Sequence, residues 1–248
     1  MKRLSRTVFA MMLFTVSHMA SSQYGDIHVV SEMWPNFTHE NGTGLYWDIV
    51  NSAYNDENIL LEATTYARAF NQFEDDYADI MLGIYSSDIE DNKYLIRSEN
   101  YIDVDYVAVC IRNGHKFPSV EELKAGVSAW VVDYGYNEIF DIRMFYEVED
   151  RTKGLKMLAK GRVDFFIDAL SEITSELDKD LELNAKISCQ VIHEESIYLA
   201  FHNNARGVSL KQKWDLRFSQ LIANGELEKL FAKYNVAYPF LHTADAIK

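Results

Sequence analysis

Apolar and polar positions along this chain switch repeatedly between a strand-like and a helix-like rhythm. Residues 27–30 are a short, mostly apolar run that predicts a buried strand, followed by the aromatic loop Trp34-Pro35-Asn36-Phe37 and the turn Asn41-Gly42-Thr43-Gly44. Residues 46–54 place Trp47, Val50 and Tyr54 on one helical face. The spacing then predicts a strand beginning at 60–62, a helix over 67–73, and a strand over 79–84 that ends in the polar loop Ser86-Ser87-Asp88. Residues 103–111 read as a strand, and a new unit starts after Gly114. Ser119 with Glu122 three residues on is a capping box ahead of a helix. Strands are expected at 129–132, 143–146, 163–167 and 196–201, and helices from Asn137 and over 152–159 and 171–177. The chain closes on two helices, one carrying Leu210, Trp214, Phe218 and Leu221, the other over 226–231, with Gly225 breaking them apart. This alternation in two blocks predicts an α/β protein with two doubly wound sheets. Ligands of such sheets sit at the carboxyl ends of strands, which singles out the loops at 34–37, 85–88, 134–137 and 168–171.

The first residues follow another pattern. A basic start (Lys2, Arg3, Arg6), an apolar run over 8–16 and the small residues Ala20-Ser21-Ser22 have the three-part layout of a signal peptide, with cleavage expected near Ser22. The run is shorter than the roughly 20 residues that span a bilayer, and no second membrane segment follows. The expected mature chain is an exported, monomeric, periplasmic or extracellular protein. A formal net charge of -14 argues against nucleic acid and against anionic membranes as partners. Export leaves a disulfide between Cys110 and Cys189 open to the chain. Neither cysteine lies in a CxxC, and His193-Glu194-Glu195 lacks the second histidine of a zinc-protease helix, so no metal and no cofactor are expected.

Taken in order, several short motifs resemble those of the bacterial extracellular solute-binding proteins of family 3, the periplasmic receptors of amino-acid ABC importers. They are Trp34-Pro35-Asn36-Phe37, Gly44-Leu45-Tyr46-Trp47-Asp48-Ile49, Tyr77-Ala78-Asp79-Ile80, Lys160-Gly161-Arg162-Val163-Asp164 and Asn224-Gly225-Glu226-Leu227. The resemblance implies a type II-like periplasmic-binding-protein fold, each lobe a mixed sheet flanked by helices. Lobe one would comprise 23–110 plus 199–248 and lobe two 111–198, joined by two crossing strands near 107–111 and 198–201. It also implies a small solute held in the interlobe cleft and an ABC permease that reads the closed state. The chain departs from the family where an arginine usually clamps an α-carboxylate: here the step reads Asp88-Ile89-Glu90-Asp91.

Trp34, Phe37, Tyr85, Tyr134 and Tyr136 are candidate aromatic walls, against ordinary core packing. Ser86 is a candidate hydrogen-bonding residue or a turn residue, and Gly135 and Asn137 flank a helix start that faces the expected cleft. Asp168 ends the apolar run Phe165-Phe166-Ile167, where it would meet a ligand cation or cap the helix near Leu170. Arg68 is a candidate cation for the ligand, with a surface ion pair as its plainer role. No catalytic residue is assigned. The expected activity is capture of an amino-acid-like or amine-bearing solute; the alternatives are an accessory protein to a membrane sensor and a cleft enzyme of the cyclohexadienyl dehydratase type, with Asp91 or Asp168 as its acid.

Overall fold

The computed structural model describes residues 26–89 and 92–240. The expected signal segment, and Glu90 and Asp91 with the departure from the arginine step, lie outside the described residues.

The amino-terminal part contains β1 (Ile27–Glu32), α1 (Leu45–Ala53), β2 (Ile59–Thr64), α2 (Tyr66–Glu74), β3 (Ile80–Ile84) and β4 (Leu95–Arg97). The middle contains β5 (Asp103–Arg112), α3 (Val120–Ala125), β6 (Val127–Val131), α4 (Tyr136–Phe140), β7 (Met144–Val148), α5 (Arg151–Ala159), β8 (Phe165–Ala169), α6 (Leu170–Lys179) and α7 (Leu181–Asn184). A long β9 (Ile187–His202) leads to α8 (Ala205–Ala223) and α9 (Glu226–Lys233). Every residue of β3 is buried, as expected of a strand covered on both faces. Helix α1 buries Leu45, Tyr46, Trp47, Ile49, Val50 and Ala53 on a stripe of helical period. Ser119 and Glu122 form the expected capping box of α3.

The strands run in the order β2-β1-β3-β9-β5-β8-β6-β7, with β4 also paired to β9. β1 lies parallel to β2 and β3, and β6 lies parallel to β7 and β8. β9 is antiparallel to β3 and β4 near its carboxyl end and to β5 over residues 187–197. Two sheets were expected from the alternation; instead one strand serves both, because β9 runs 16 residues and changes partner along its length. Only its last third, 196–201, has the apolar character that predicts a strand. Over 187–195 only Ile187 is buried, and the other positions are partly or fully exposed. Cys110 and Cys189 face one another across β5 and β9 and form a disulfide, with Cα atoms 4.1 Å apart.

The apolar cores divide along the same line. Trp47, Tyr54, Trp214, Phe218 and Phe231 pack around β1, β3 and the end of β9, and Phe73, Met81 and Ala200 pack on the other face. Leu155, Leu158, Phe166 and Ile173 form one core of the middle part, and Trp130, Tyr136 and Ile167 another. Tyr85 packs against cores of both parts. Among the described residues no helix is long and apolar enough to cross a membrane.

Candidate functional site

The carboxyl ends of β1, β3, β6, β7 and β8 deliver their side chains to one place between the two sets of cores. β1 ends at Glu32, β3 leads into Tyr85 and Asp88, β6 into Tyr134, β7 into Arg151, and β8 ends with Asp168 and Ala169. Such a meeting of strand ends is where ligands of open α/β sheets bind. The loop after β1 is fixed locally: Trp34 N–H donates to Thr38 Oγ1 at 2.9 Å, and the Thr38 hydroxyl donates to the Glu32 carbonyl at 2.5 Å. The Trp34 ring then packs against Gly83. That glycine has φ +95, and a Cβ there would stand 2.5 Å from the indole, so the ring can settle only on a residue without a side chain.

Arg151 is the centre of the arrangement. Its Nη2 is 3.1 Å from Glu32 Oε1, and its Nε is 3.0 Å from Asp168 Oδ2 and 3.7 Å from Glu172 Oε2. The contact with Asp168 is an ion pair without hydrogen-bond alignment. Arg151 also donates to the Tyr134 hydroxyl, and Tyr134 donates to Glu32 Oε2 at 2.5 Å. The Trp34 indole N–H donates to the same oxygen at 2.9 Å. Glu32, from β1, is thereby joined to Tyr134, Arg151, Asp168 and Glu172 of the middle part.

Carboxylates outnumber this single guanidinium. Asp88 accepts from the Tyr66 hydroxyl at 2.9 Å and from Tyr85 N–H at 2.7 Å. Asp105 accepts from the Tyr85 hydroxyl at 2.6 Å, and Asp103 accepts from Tyr46 at 3.0 Å. Burial, the largest influence on each, pushes Asp103 up to about 6, Asp168 to about 7 and Glu172 to about 8. For Asp168 and Glu172 the Arg151 charge opposes that rise, while neighbouring acids add to it. Asp88 and Asp105 are raised as well, again chiefly by burial. Arg151 loses favourable hydration on burial, yet the surrounding acids outweigh this and hold it protonated. Burial also raises Tyr46, Tyr66, Tyr85 and Tyr134, which stay neutral donors.

Two cavities adjoin this cluster. An inner one of about 20 Å³ lies among Trp34, Tyr66, Tyr85, Asp88 and Tyr134. A larger one of about 640 Å³ lies among Trp34, Tyr46, Asp103, Glu172 and Tyr238. Trp34, Asp105 and Ala169 border both. Among the described residues no group of three or more histidine, cysteine or carboxylate side chains is arranged to hold a metal ion.

The candidates from sequence distribute unevenly. Trp34, Tyr85 and Tyr134 border the inner cavity and Phe37 the larger one. Asp168 does not cap α6: its Oδ1 accepts only from the N–H of Ala169, and the ion pair with Arg151 takes the other oxygen. Tyr136 is buried between Trp130 and Tyr134 and borders neither cavity. Gly135 supplies the left-handed start of α4 (φ 65), and Asn137 turns its carbonyl to the end of that helix; neither borders a cavity. Ser86 serves the turn, its carbonyl accepting from Ile89. Arg68 is exposed on α2, away from both cavities. Arg97, a further basic residue, stacks on Tyr198 instead, 4.2 Å from the ring centre.

Glu32, Asp105, Arg151 and Glu172 were not singled out from sequence. Glu32 carries the signal that drew attention to Asp168, an acid ending a buried strand. Arg151 carries none, because within Glu149-Asp150-Arg151-Thr152-Lys153 it reads as one more surface charge.

No protein-family model matches the sequence, and the search of curated proteins finds no match. Solved structures do match. The arginine-, lysine-, histidine-binding protein ArtJ from Geobacillus stearothermophilus superimposes with TM-score 0.70 at 16% identity, covering 87% of this chain and 97% of its own. A histidine kinase sensor domain with similarity to periplasmic binding proteins gives TM-score 0.73 at 16% identity, covering 84% and 95%. An ancestral amino acid-binding protein, a precursor of cyclohexadienyl dehydratase, gives 0.65 at 15% identity, covering 85% and 95%. At these identities the likeness is one of architecture, and by architecture this chain has the periplasmic-binding-protein fold.

Proposed function

We propose that the chain is an exported solute-binding protein that captures a small amine-bearing solute between two lobes, 23–110 plus 199–248 and 111–198, and delivers it to an ABC permease. The observation that carries this reading is the excess of buried carboxylates. Glu32, Asp168 and Glu172 surround one guanidinium, Asp88 and Asp105 border the adjoining cavity, and burial has raised four of the five. A second positive charge entering the cleft relieves that imbalance; a carboxylate entering it meets acids and an arginine already engaged on three sides. The Arg151–Glu32 contact favours closure by linking the two parts, and ligand adds to it in the closed state alone. The disulfide fits an oxidising compartment such as the periplasm.

A thermal-shift screen of amines, amino acids, organic acids and sugars tests the reading. Amines raise the melting temperature by mass action and organic acids do not. Stabilisation by acids or sugars alone removes the proposal. A second reading, a cleft enzyme, draws on Glu172, whose carboxyl is raised to about 8 and so holds a proton at neutral pH. Turnover of a cyclohexadienyl substrate, lost in Glu172→Gln, would favour it over simple capture.

A further inference from the structure

The cleft has two compartments of very different size. The inner one, at about 20 Å³, has room for about one water molecule. The outer one, at about 640 Å³, is in the range of small-molecule sites. Its walls are of two kinds. Trp34, Phe37 and Tyr46 form a continuous aromatic surface: the Trp34 and Tyr46 rings meet edge to face at 6.0 Å, and Phe37 and Tyr46 lie 4.6 Å apart. Tyr238 borders the chamber from the carboxyl-terminal segment. The polar part is acidic. Asp103, Asp105 and Glu172 border the chamber, and Asp103 accepts from the Tyr46 hydroxyl at 3.0 Å on its aromatic side.

Among the described residues that border the chamber there is no lysine, arginine or histidine. Arg151 is already met by Glu32, Asp168 and Glu172. The amino end of α6 also reaches the chamber, but Glu172 stands in its first turn and sets a carboxyl where a ligand carboxylate would have to come. A ligand carboxylate would therefore be buried beside acids with no cation of its own. An ammonium group finds acceptors, and an aromatic or aliphatic body finds flat rings to lie against.

Building on the reading that the cleft takes an amine, we infer that the solute is an amine with an aromatic or apolar body and no α-carboxylate, held in the outer chamber with its ammonium group toward Asp103, Asp105 and Glu172. A matched set of probes separates this from capture of amino acids: phenethylamine, L-phenylalanine and phenylacetate, titrated calorimetrically into the purified protein. Phenethylamine binds, and the two carboxylates bind roughly tenfold more weakly or worse. Two variants locate the site. Ala237→Trp narrows the chamber from an exposed position, and Asp103→Asn removes one acceptor with little change of shape. Each weakens phenethylamine by roughly tenfold or more while the melting profile of the free protein stays cooperative. Phenylalanine binding as tightly as phenethylamine overturns the inference, as does phenethylamine binding untouched by both variants. Binding of putrescine in place of phenethylamine overturns the chamber assignment and leaves the amine reading standing. Failure of every amine to bind the folded protein overturns both.

Discussion

Arg151 decides whether the acids around it are tolerable. Glu32, Asp168 and Glu172 are each at least nine-tenths buried, and the guanidinium is the cation that meets all three. Removing one partner of a buried ionic cluster costs about 3–5 kcal/mol, because charges remain without compensation. Arg151→Ala is accordingly expected to lower stability by about that amount at neutral pH, read from chemical denaturation, and by less near pH 5, where the acids take up protons. The ionic cluster also sets the pH response of the unaltered protein. Asp103, Asp168 and Glu172 ionise near 6, 7 and 8 in the folded chain, whereas their unfolded counterparts ionise near about 4. The folded chain holds more protons in that interval, so stability of the ligand-free protein falls as pH rises from about 4 to about 8. Urea midpoints across the interval check the sign; a rise would show that the acids are better compensated than their burial implies. Half of this site was legible in sequence. Trp34, Tyr85, Tyr134 and Asp168 stand where strand ends and loop chemistry put them. Arg151 joins the candidate site only by reaching across to Glu32, a contact 119 residues away in the chain that no local pattern announces.

The strand pair β5 and β9 is the element that joins the two halves. Its pairing runs from Asp103↔Ile197 to Arg112↔Ile187, and the disulfide Cys110–Cys189 lies within it, closing a separation of 79 residues. Loops of that size make a disulfide worth about 2–5 kcal/mol, chiefly through the unfolded chain. Reduction, or Cys110→Ser with Cys189→Ser, is expected to lower stability by about that amount with secondary structure retained, measured by denaturation with circular dichroism. A loss of strand content would mean the bond holds the pairing itself. At this scale the sequence was informative wherever burial is one-sided or complete: α1, β3, β8, α8 and the α3 capping box all fall close to their expected places. It was silent on β4, three residues long, and on the first half of β9, whose polar pattern becomes a strand only because β5 supplies the partner.

For the molecule as a whole, an acidic chain of net charge -14 concentrates buried acid where its two halves meet. The fold explains the concentration: the parallel strands β1 and β8 end in Glu32 and Asp168, β3 leads to Asp88, and the amino end of the antiparallel β5 brings Asp103 and Asp105 to the same cleft. On the proposed reading such a cleft closes more favourably on a cation than on nothing. Ligand binding would then expel the protons that Asp103 and Glu172 retain, so affinity is expected to rise with pH over the interval in which free-protein stability falls. Calorimetric titration of a simple monoamine at about pH 8 and about pH 5.5 is the most direct measurement, because it asks both whether the cleft takes an amine and whether ionised carboxylates are the reason. Binding at the higher pH that weakens markedly at the lower one, with proton release on binding, is the expected result. No binding at either pH by a folded protein, or tighter binding at the lower pH, would contradict amine capture by the carboxylates of this cleft.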